Sequence, residues 1–463
     1  MRQVLILGTG ALCSGFLLVL SLPPVGLANL AWISVVPLFW AVRKTRGSHG
    51  FLAALFACGF GAWLSTFNLT GGRVLEDGSS AWNYVGFILF GGLIGAMSAV
   101  VAELKAFTIK QVLLMACLGV CLEWCLLLIL PAHIALTQSK VFPMLLIASF
   151  GGIWAVSWLV WVVNLSILLA LECRTNRGYA AAAGLVAFFV CNPIFSPQPV
   201  NSRAQMGGSL FAAVQTTSGV PKELLALTKS KDVSLQVWPE LSGLSTAYRG
   251  DTKELQELSN DVAFATSFED GFLPRPHNAL SIFAGGKESE RYFKRKPFGG
   301  ERQVHLAGSQ PMTVVLPNGI RVGMAICFDS CYPAVMREAA NFKNPDLLIV
   351  PSLDPNSPTG FIQAVHGAFT PFRAAELGIP IIRSEATGFS QIVDSDGRTL
   401  AESRLGEELS IVHRLKPGQI PTVYKSVGDL FVWLCLVAVG IWVSIGTISR
   451  YRSTQENNFH ELP

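Results

Sequence analysis

Three residues of the chain have side chains and settings suited to covalent catalysis: Glu240, Lys294 and Cys327. Glu240 follows the apolar run Ser234–Trp238 across Pro239, and Cys327 ends the run Arg321–Ile326. Lys294 lies between them in sequence, in the segment Arg291–Gly299. A thiol attacks as its thiolate, which requires a neighbouring base or a lowered pKa. A carboxylate whose pKa is raised by burial can be that base. An ammonium can stabilise the oxyanion formed when a thiolate attacks a carbonyl. Together the three types are the parts of an acyl-transfer site. Singly, each also has an ordinary reading: a small buried hydrophobe, a solvated loop carboxylate, and one of a basic surface group with Arg291, Arg295 and Lys296.

The elements that must hold them are legible as alternation. Five strand-like runs, Ser234–Trp238, Ala279–Phe283, Arg321–Ile326, Asp346–Val350 and Ile379–Arg383, are separated by helical stretches such as 332–343 and 364–377. That order predicts a layered α/β domain. Reactive groups on such a domain sit at strand ends and the loops that follow. Cys327 and Cys331 have no further Cys or His at ligand spacing, so no zinc site is expected.

The rest of the chain is different in kind. Hydrophobic residues make up 51% of the 463 residues and charged residues 14%, against roughly 25% charged in soluble domains. The deficit lies in residues 1–200 and again near 429–447, while 201–425 has ordinary soluble composition. Spans of the ~20 residues a bilayer requires are expected near 3–22, 25–42, 51–71, 82–102, 110–131, 149–171, 178–194 and 427–447. The division is therefore a membrane region 1–200, a soluble domain 201–425, and a final span with a tail, 426–463. The first span has a thin positive end, Arg2, and a poor cleavage site at Ser21–Pro24, so it is expected to be retained. Arg43, Lys44 and Arg46, then Lys105 and Lys110, Arg174 and Arg177, and Arg450 and Arg452 fall on one side of the membrane. The positive-inside rule makes that side the cytoplasm, with both termini, and puts the soluble domain outside. A net charge of +4 without a basic stripe excludes nucleic acid as an expected partner. Eight of the ten cysteines lie in or beside apolar segments and read as small hydrophobes.

The order Val237-Trp238-Pro239-Glu240, then Tyr292-Phe293-Lys294 with Pro297-Phe298-Gly299, then Ala325-Ile326-Cys327-Phe328-Asp329 resembles the Glu-Lys-Cys signature of the nitrilase, or carbon–nitrogen hydrolase, superfamily. Phe372-Arg373-Ala374-Ala375-Glu376 is similar to that superfamily's Arg-Ala-x-Glu helix, and Thr387–Arg398 to its closing hairpin. Seven spans, an outward domain of this kind and one closing span resemble the apolipoprotein N-acyltransferase family. Leu22–Leu27, Leu30-Ala31-Trp32 and Val36-Pro37-Leu38 agree with its opening.

The resemblance implies an αββα sandwich on a bundle of about eight helices. It implies transfer of a phospholipid acyl chain to the α-amine of a lipidated N-terminal cysteine, in a bacterial inner membrane. Glu240, Lys294 and Cys327 would be the catalytic set, with the Phe328 N–H as a second oxyanion donor and Glu301 and Asn278 as auxiliaries. No metal or organic cofactor is called for. The partners are the phospholipid donor, the lipoprotein acceptor and the bilayer, and the protein is expected to act as a monomer. The chain departs from the family at Phe328-Asp329, usually Tyr-Glu, at the extra glycine of Gly299-Gly300-Glu301, and at Ser352–Asn356, usually Asn-Asp-x-Trp-Phe. Two alternatives stay open: a membrane-tethered amidase, in which water resolves the thioester, and a non-catalytic scaffold. Trp82 and Phe142 are expected near the entry to the site.

Overall fold

The computed structural model describes residues 1–45, 49–76, 78–104, 107–172, 208–228, 232–242, 251–271 and 274–460. The apolar N-terminal region forms α1 (Arg2–Ser21), α2 (Val36–Thr45), α3 (Gly50–Leu64), α4 (Ala81–Glu103), α5 (Ile109–Leu126) and α6 (Phe142–Glu172). Among the described residues α1, α4, α5 and α6 are long and apolar enough to cross a membrane, while α3 and the stretch Leu430–Ile445 are shorter apolar helices. The run 25–42 is a 3-10 turn, Ala28–Ile33, followed by α2. Pro23, Pro24 and Gly26 end α1, and Pro37 fits the first turn of α2, where no intrahelical N–H bond is needed. The expected span 178–194 lies outside the described residues.

The α/β domain that follows has two sheets. One runs β13 (Leu409–Leu415), β1 (Ser209–Gln215), β2 (Val233–Val237), β3 (Phe264–Asp270), β4 (His277–Ala284) and β5 (Lys287–Glu288), with β6 (Tyr292–Phe293) also on β4. The other runs β12 (Thr399–Glu402), β11 (Gln391–Val393), β10 (Ile381–Glu385), β9 (Leu347–Ser352), β8 (Arg321–Met324) and β7 (Thr313–Val315). Alternation of side chains sends each strand's residues to two different cores. Leu235 and Val237 of β2 share one core with Leu347 and Ile349 of β9 and Ile382 of β10, which glues sheet to sheet. Leu348 and Val350 point the other way, to Met336, Ala340 and Leu377 of the helices Pro333–Asn341 and Phe369–Leu377. Trp238 and Phe264 likewise meet Leu224 and Leu255 of the helices Pro221–Leu227 and Lys253–Leu258. Both sheets are covered on both faces, so the layers are helix, sheet, sheet, helix.

The α/β domain is tied to the bundle at the segment after β9. Ser79 N–H donates to Asn356 O at 2.9 Å, Leu75 N–H to Pro358 O at 2.9 Å, and Thr359 Oγ1 to Ser65 O at 2.7 Å. A second tie runs through a break in α6. Gly152 has φ 70° and ψ −176°, a region essentially reserved for glycine. The Ile153 N–H, next after the break, donates to Glu376 Oε1 at 2.6 Å. Glu376 is paired with Arg373, and Arg373 Nε donates to Ser330 O at 3.0 Å, in the turn that carries Cys327. A Cβ at position 152 would meet the Tyr424 ring at 2.5 Å. Gly152→Ala is therefore expected to destabilise the folded protein by about 1–3 kcal/mol from backbone strain alone. Thermal unfolding in detergent measures this, and an unchanged midpoint would show that the break tolerates a side chain.

Candidate active site

Strands β8, β9 and β10 are parallel, so their carboxyl ends share one edge of the sheet. That edge brings together Cys327 after β8, Asp354 after β9 and Glu385 at the end of β10. Glu240 arrives from the facing sheet after β2 and accepts the Leu353 N–H on Oε2 at 2.9 Å. Lys294 follows β6. It is 2% exposed, and its Nζ donates to Glu240 Oε1 at 2.7 Å and to Glu301 Oε2 at 2.6 Å. Asn278 Nδ2 donates to the same Glu240 oxygen at 2.6 Å and to Glu301 Oε1 at 3.3 Å. Four of the residues named from sequence thus form one hydrogen-bonded group. The extra glycine does not displace Glu301. Gly299 takes φ 50°, Gly300 caps the short helix Glu301–Val304, and the Phe298 N–H donates to Glu301 Oε2 at 2.7 Å.

Cys327 opens a 3-10 turn, Cys327–Cys331, with φ 48°. A non-glycine residue in this region is held there by its surroundings. Asp329 is the clamp. It accepts the Ile326 N–H at 3.0 Å and the Tyr292 hydroxyl at 2.8 Å on Oδ2, and the Lys296 N–H on Oδ1 at 2.7 Å. The departure Phe328-Asp329 therefore supplies a short carboxylate that joins the cysteine turn to the lysine loop. The Phe328 ring meets Phe298 edge to face at 4.8 Å between centroids.

Burial pushes the Cys327 thiol well above its ordinary pKa. The Glu240 charge adds to the rise, and the Lys294 charge pulls the other way. Burial also works against the Lys294 ammonium, but its acidic neighbours Cys327, Glu240 and Glu301 hold it well above its usual range. For Glu301 the burial penalty is outweighed by Lys294, whose charge and hydrogen bond keep the carboxyl low.

The sulfur's own hydrogen-bond contacts are Asp354 Oδ1 at 3.8 Å and Leu353 O at 4.0 Å. Asp354 is paired with His366 Nδ1 and with Arg383, at 2.8 Å. Arg383 also pairs with Glu385, at 2.8 Å. The sequence reading named none of these four as site residues. Asp354 lies in the departure Ser352–Asn356, which was the available signal. His366 sits in the stretch 364–377 that reads as helix, Arg383 ends the run that reads as strand, and Glu385 lies two residues beyond it.

A cavity of about 390 Å³ opens onto Cys327, Lys294 and Glu240. Its other wall comes from the bundle: Leu18 in α1 and Leu22 just after it, Trp82 and Phe87 on α4, and Ile134 and Leu136 in the connection to α6. Trp82 lines it as expected and lies 4.7 Å from Phe298 between ring centroids. Phe142 is elsewhere, beneath the Arg398 guanidinium at 3.8 Å from the ring centroid. Cys331 shares the cavity wall and is a free thiol, as is Cys327.

Comparison with known proteins bears on both regions. Residues 14–166 match the model of the apolipoprotein N-acyltransferase N-terminal domain, and residues 204–420 match that of carbon–nitrogen hydrolase. An apolipoprotein N-acyltransferase of Geobacter metallireducens is 23% identical over 93% of each chain. One of Bradyrhizobium diazoefficiens is 24% identical over 66% of this chain and 67% of its own. Among solved structures, an amidase of the nitrilase superfamily from Nesterenkonia is similar over 49% of this chain and 96% of its own, at 20% identity and a TM-score of 0.40. With an N-terminal region and a hydrolase-like domain that both match, and a relative of that name aligned over 93% of each chain, the chain belongs to the apolipoprotein N-acyltransferase family.

Proposed function

We propose that the protein moves an acyl chain from a membrane phospholipid, through a thioester on Cys327, to the N-terminal amine of a diacylglyceryl-cysteine lipoprotein. The observation that carries this reading is the two-sided cavity, with a thiol, an ammonium and a carboxylate on one wall and membrane helices on the other. Such a wall lets an acyl chain stay out of water while its carbonyl reaches the sulfur.

Glu240 takes the thiol proton as the sulfur attacks the ester carbonyl. Lys294 and the Phe328 N–H receive the oxyanion. The lysophospholipid leaves with the proton, and the acyl group stays on Cys327. The acceptor amine then attacks the thioester, an amide forms and the thiol is restored. Glu301 shares the charge of Lys294, and Asn278 fixes the orientation of Glu240.

In this reading the chain has about eight spans, in the regions 1–200 and 426–463, and the domain 201–425 stands on the outer face of a bacterial inner membrane. The loops rich in Lys and Arg, and both ends of the chain, face the cytoplasm.

Single-turnover decay of acyl-Cys327, with and without a diacylglyceryl-cysteine peptide, tests the reaction. Discharge by the peptide is expected to be much faster than by water, whose access the apolar wall limits. Equal decay in both would replace the transferase with the amidase.

A further inference from the structure

Aminolysis makes a demand that attack by water does not. An α-amine, with a pKa of about 8, enters largely as an ammonium at neutral pH. One proton must leave before the nitrogen has a lone pair with which to attack. A second must leave as the tetrahedral intermediate collapses to the amide and the thiolate departs. Glu240, bound to Lys294, Asn278 and the Leu353 N–H, can manage the second proton and return it to the sulfur. The first needs another acceptor.

A buried pair beside the nucleophile fits that need. The side-chain sulfur of Cys327, one oxygen of Asp354 and one nitrogen of His366 lie within 4.8 Å of one another. Both Asp354 and His366 line the cavity. Asp354 holds His366 through Nδ1, which leaves Nε2 as the nitrogen that gains a proton. Nε2 now contacts Ser330 Oγ at 3.2 Å, but that hydroxyl also has the Cys327 carbonyl at 2.7 Å, so Nε2 can be released without stranding it. Burial raises the Asp354 carboxyl, yet its pairing with His366 and with the Arg383 guanidinium outweighs this and holds it at about 2. It is therefore an anion across the working range, suited to stabilising an imidazolium. The other titratable or charged groups around the ring are Arg383, Glu385, Cys327 and Cys331; Glu240 and Lys294 share the cavity.

We propose that His366, held by Asp354, takes the first proton from the acceptor ammonium and so makes its nitrogen the nucleophile for the Cys327 thioester. The balance is complete. The ammonium proton passes to His366 and then to solvent. The second N–H proton passes through Glu240 to the departing sulfur as the C–S bond breaks and the C–N bond forms. This assignment rests on the acyl-transfer reading above.

The test uses the full-length protein in detergent, acylated to completion with phospholipid. Acyl-Cys327 is then discharged by the diacylglyceryl-cysteine peptide or by hydroxylamine, an amine largely unprotonated at neutral pH. In His366→Asn, discharge by the peptide at pH 7 is expected to slow by about 10²–10⁴-fold relative to wild type. Discharge by hydroxylamine should slow far less, and the peptide rate should recover as pH rises past about 8. Asp354→Asn should show the same selectivity to a smaller degree. Equal slowing of both nucleophiles, slowing of neither, or failure of both variants to acylate while the wild type does would overturn the role of His366. Failure of the wild type itself to acylate would instead overturn the acyl-transfer reading.

Discussion

Cys327→Ser is expected to form no acyl-enzyme, while Cys331→Ser forms it. A hydroxyl is far less ionised than a thiol at neutral pH, and loss of a nucleophile can lower turnover by about 10⁶-fold. The contrast is a real choice because both thiols line the cavity. Burial pushes both up, and for Cys331 the opposing charges are Arg383 and Arg373. Those guanidiniums are engaged with Asp354, Glu385 and Glu376. Cys327 is opposed first by Lys294, an ammonium that lines the same cavity, and after it by Arg383. Cys327 also sits at the strained first position of its turn, with φ 48°. Intact mass after incubation with phospholipid reads the result as an acyl-sized gain. A gain in Cys327→Ser and none in Cys331→Ser would exchange the two assignments.

What the sequence discloses here follows from the range of the interactions involved. β2, β4, β8, β9 and β10 are apolar runs closed by turn or breaker residues, so their signal is local. β6 has two residues and β7 three, too short for alternation to show, although both pair with strands nearby in sequence, β4 and β8. The helical stretch 364–377 contains two helices, Phe361–Gly367 and Phe369–Leu377, meeting at Ala368. Continuous apolar periodicity does not reveal that boundary. Glu240, Lys294 and Cys327 were legible because each follows a strand-like run or lies in a quoted motif. His366 was not, because a histidine in a helix carries no local sign of the Asp354 it meets. The same limit applies to α6. Gly151-Gly152 is visible as a pair, but the carboxylate that caps the break comes from Glu376, more than two hundred residues further along the chain.

Lys294→Met and Glu240→Gln are expected to move the reactivity of Cys327 in opposite directions while both lose acyl transfer. Loss of a well-placed oxyanion donor lowers the rate by about 10²–10³-fold, and Glu240→Gln lacks the base for the same step. Their effects on the resting thiol have opposite signs. The Lys294 charge opposes the rise in the Cys327 pKa, so its removal raises that pKa further and slows alkylation by iodoacetamide at neutral pH. The Glu240 charge contributes to the rise, so its removal lowers the pKa and speeds alkylation. Stability separates the variants as well. Lys294→Met leaves Glu240, 3% exposed, and Glu301 without their shared cation, a loss of about 3–5 kcal/mol for a broken buried pair. The neighbouring cations are engaged elsewhere. Arg291 pairs with Asp270 and Glu288, Arg295 with Glu338, and Lys296 lies over Tyr332. Alkylation rates across pH, thioester yield and thermal unfolding on the same preparations give all three readings. Full thioester in Lys294→Met would remove the lysine from the oxyanion site. Slower alkylation in Glu240→Gln, with thioester still formed, would remove Glu240 as the base and move that role to Asp354, whose oxygen the sulfur already contacts at 3.8 Å.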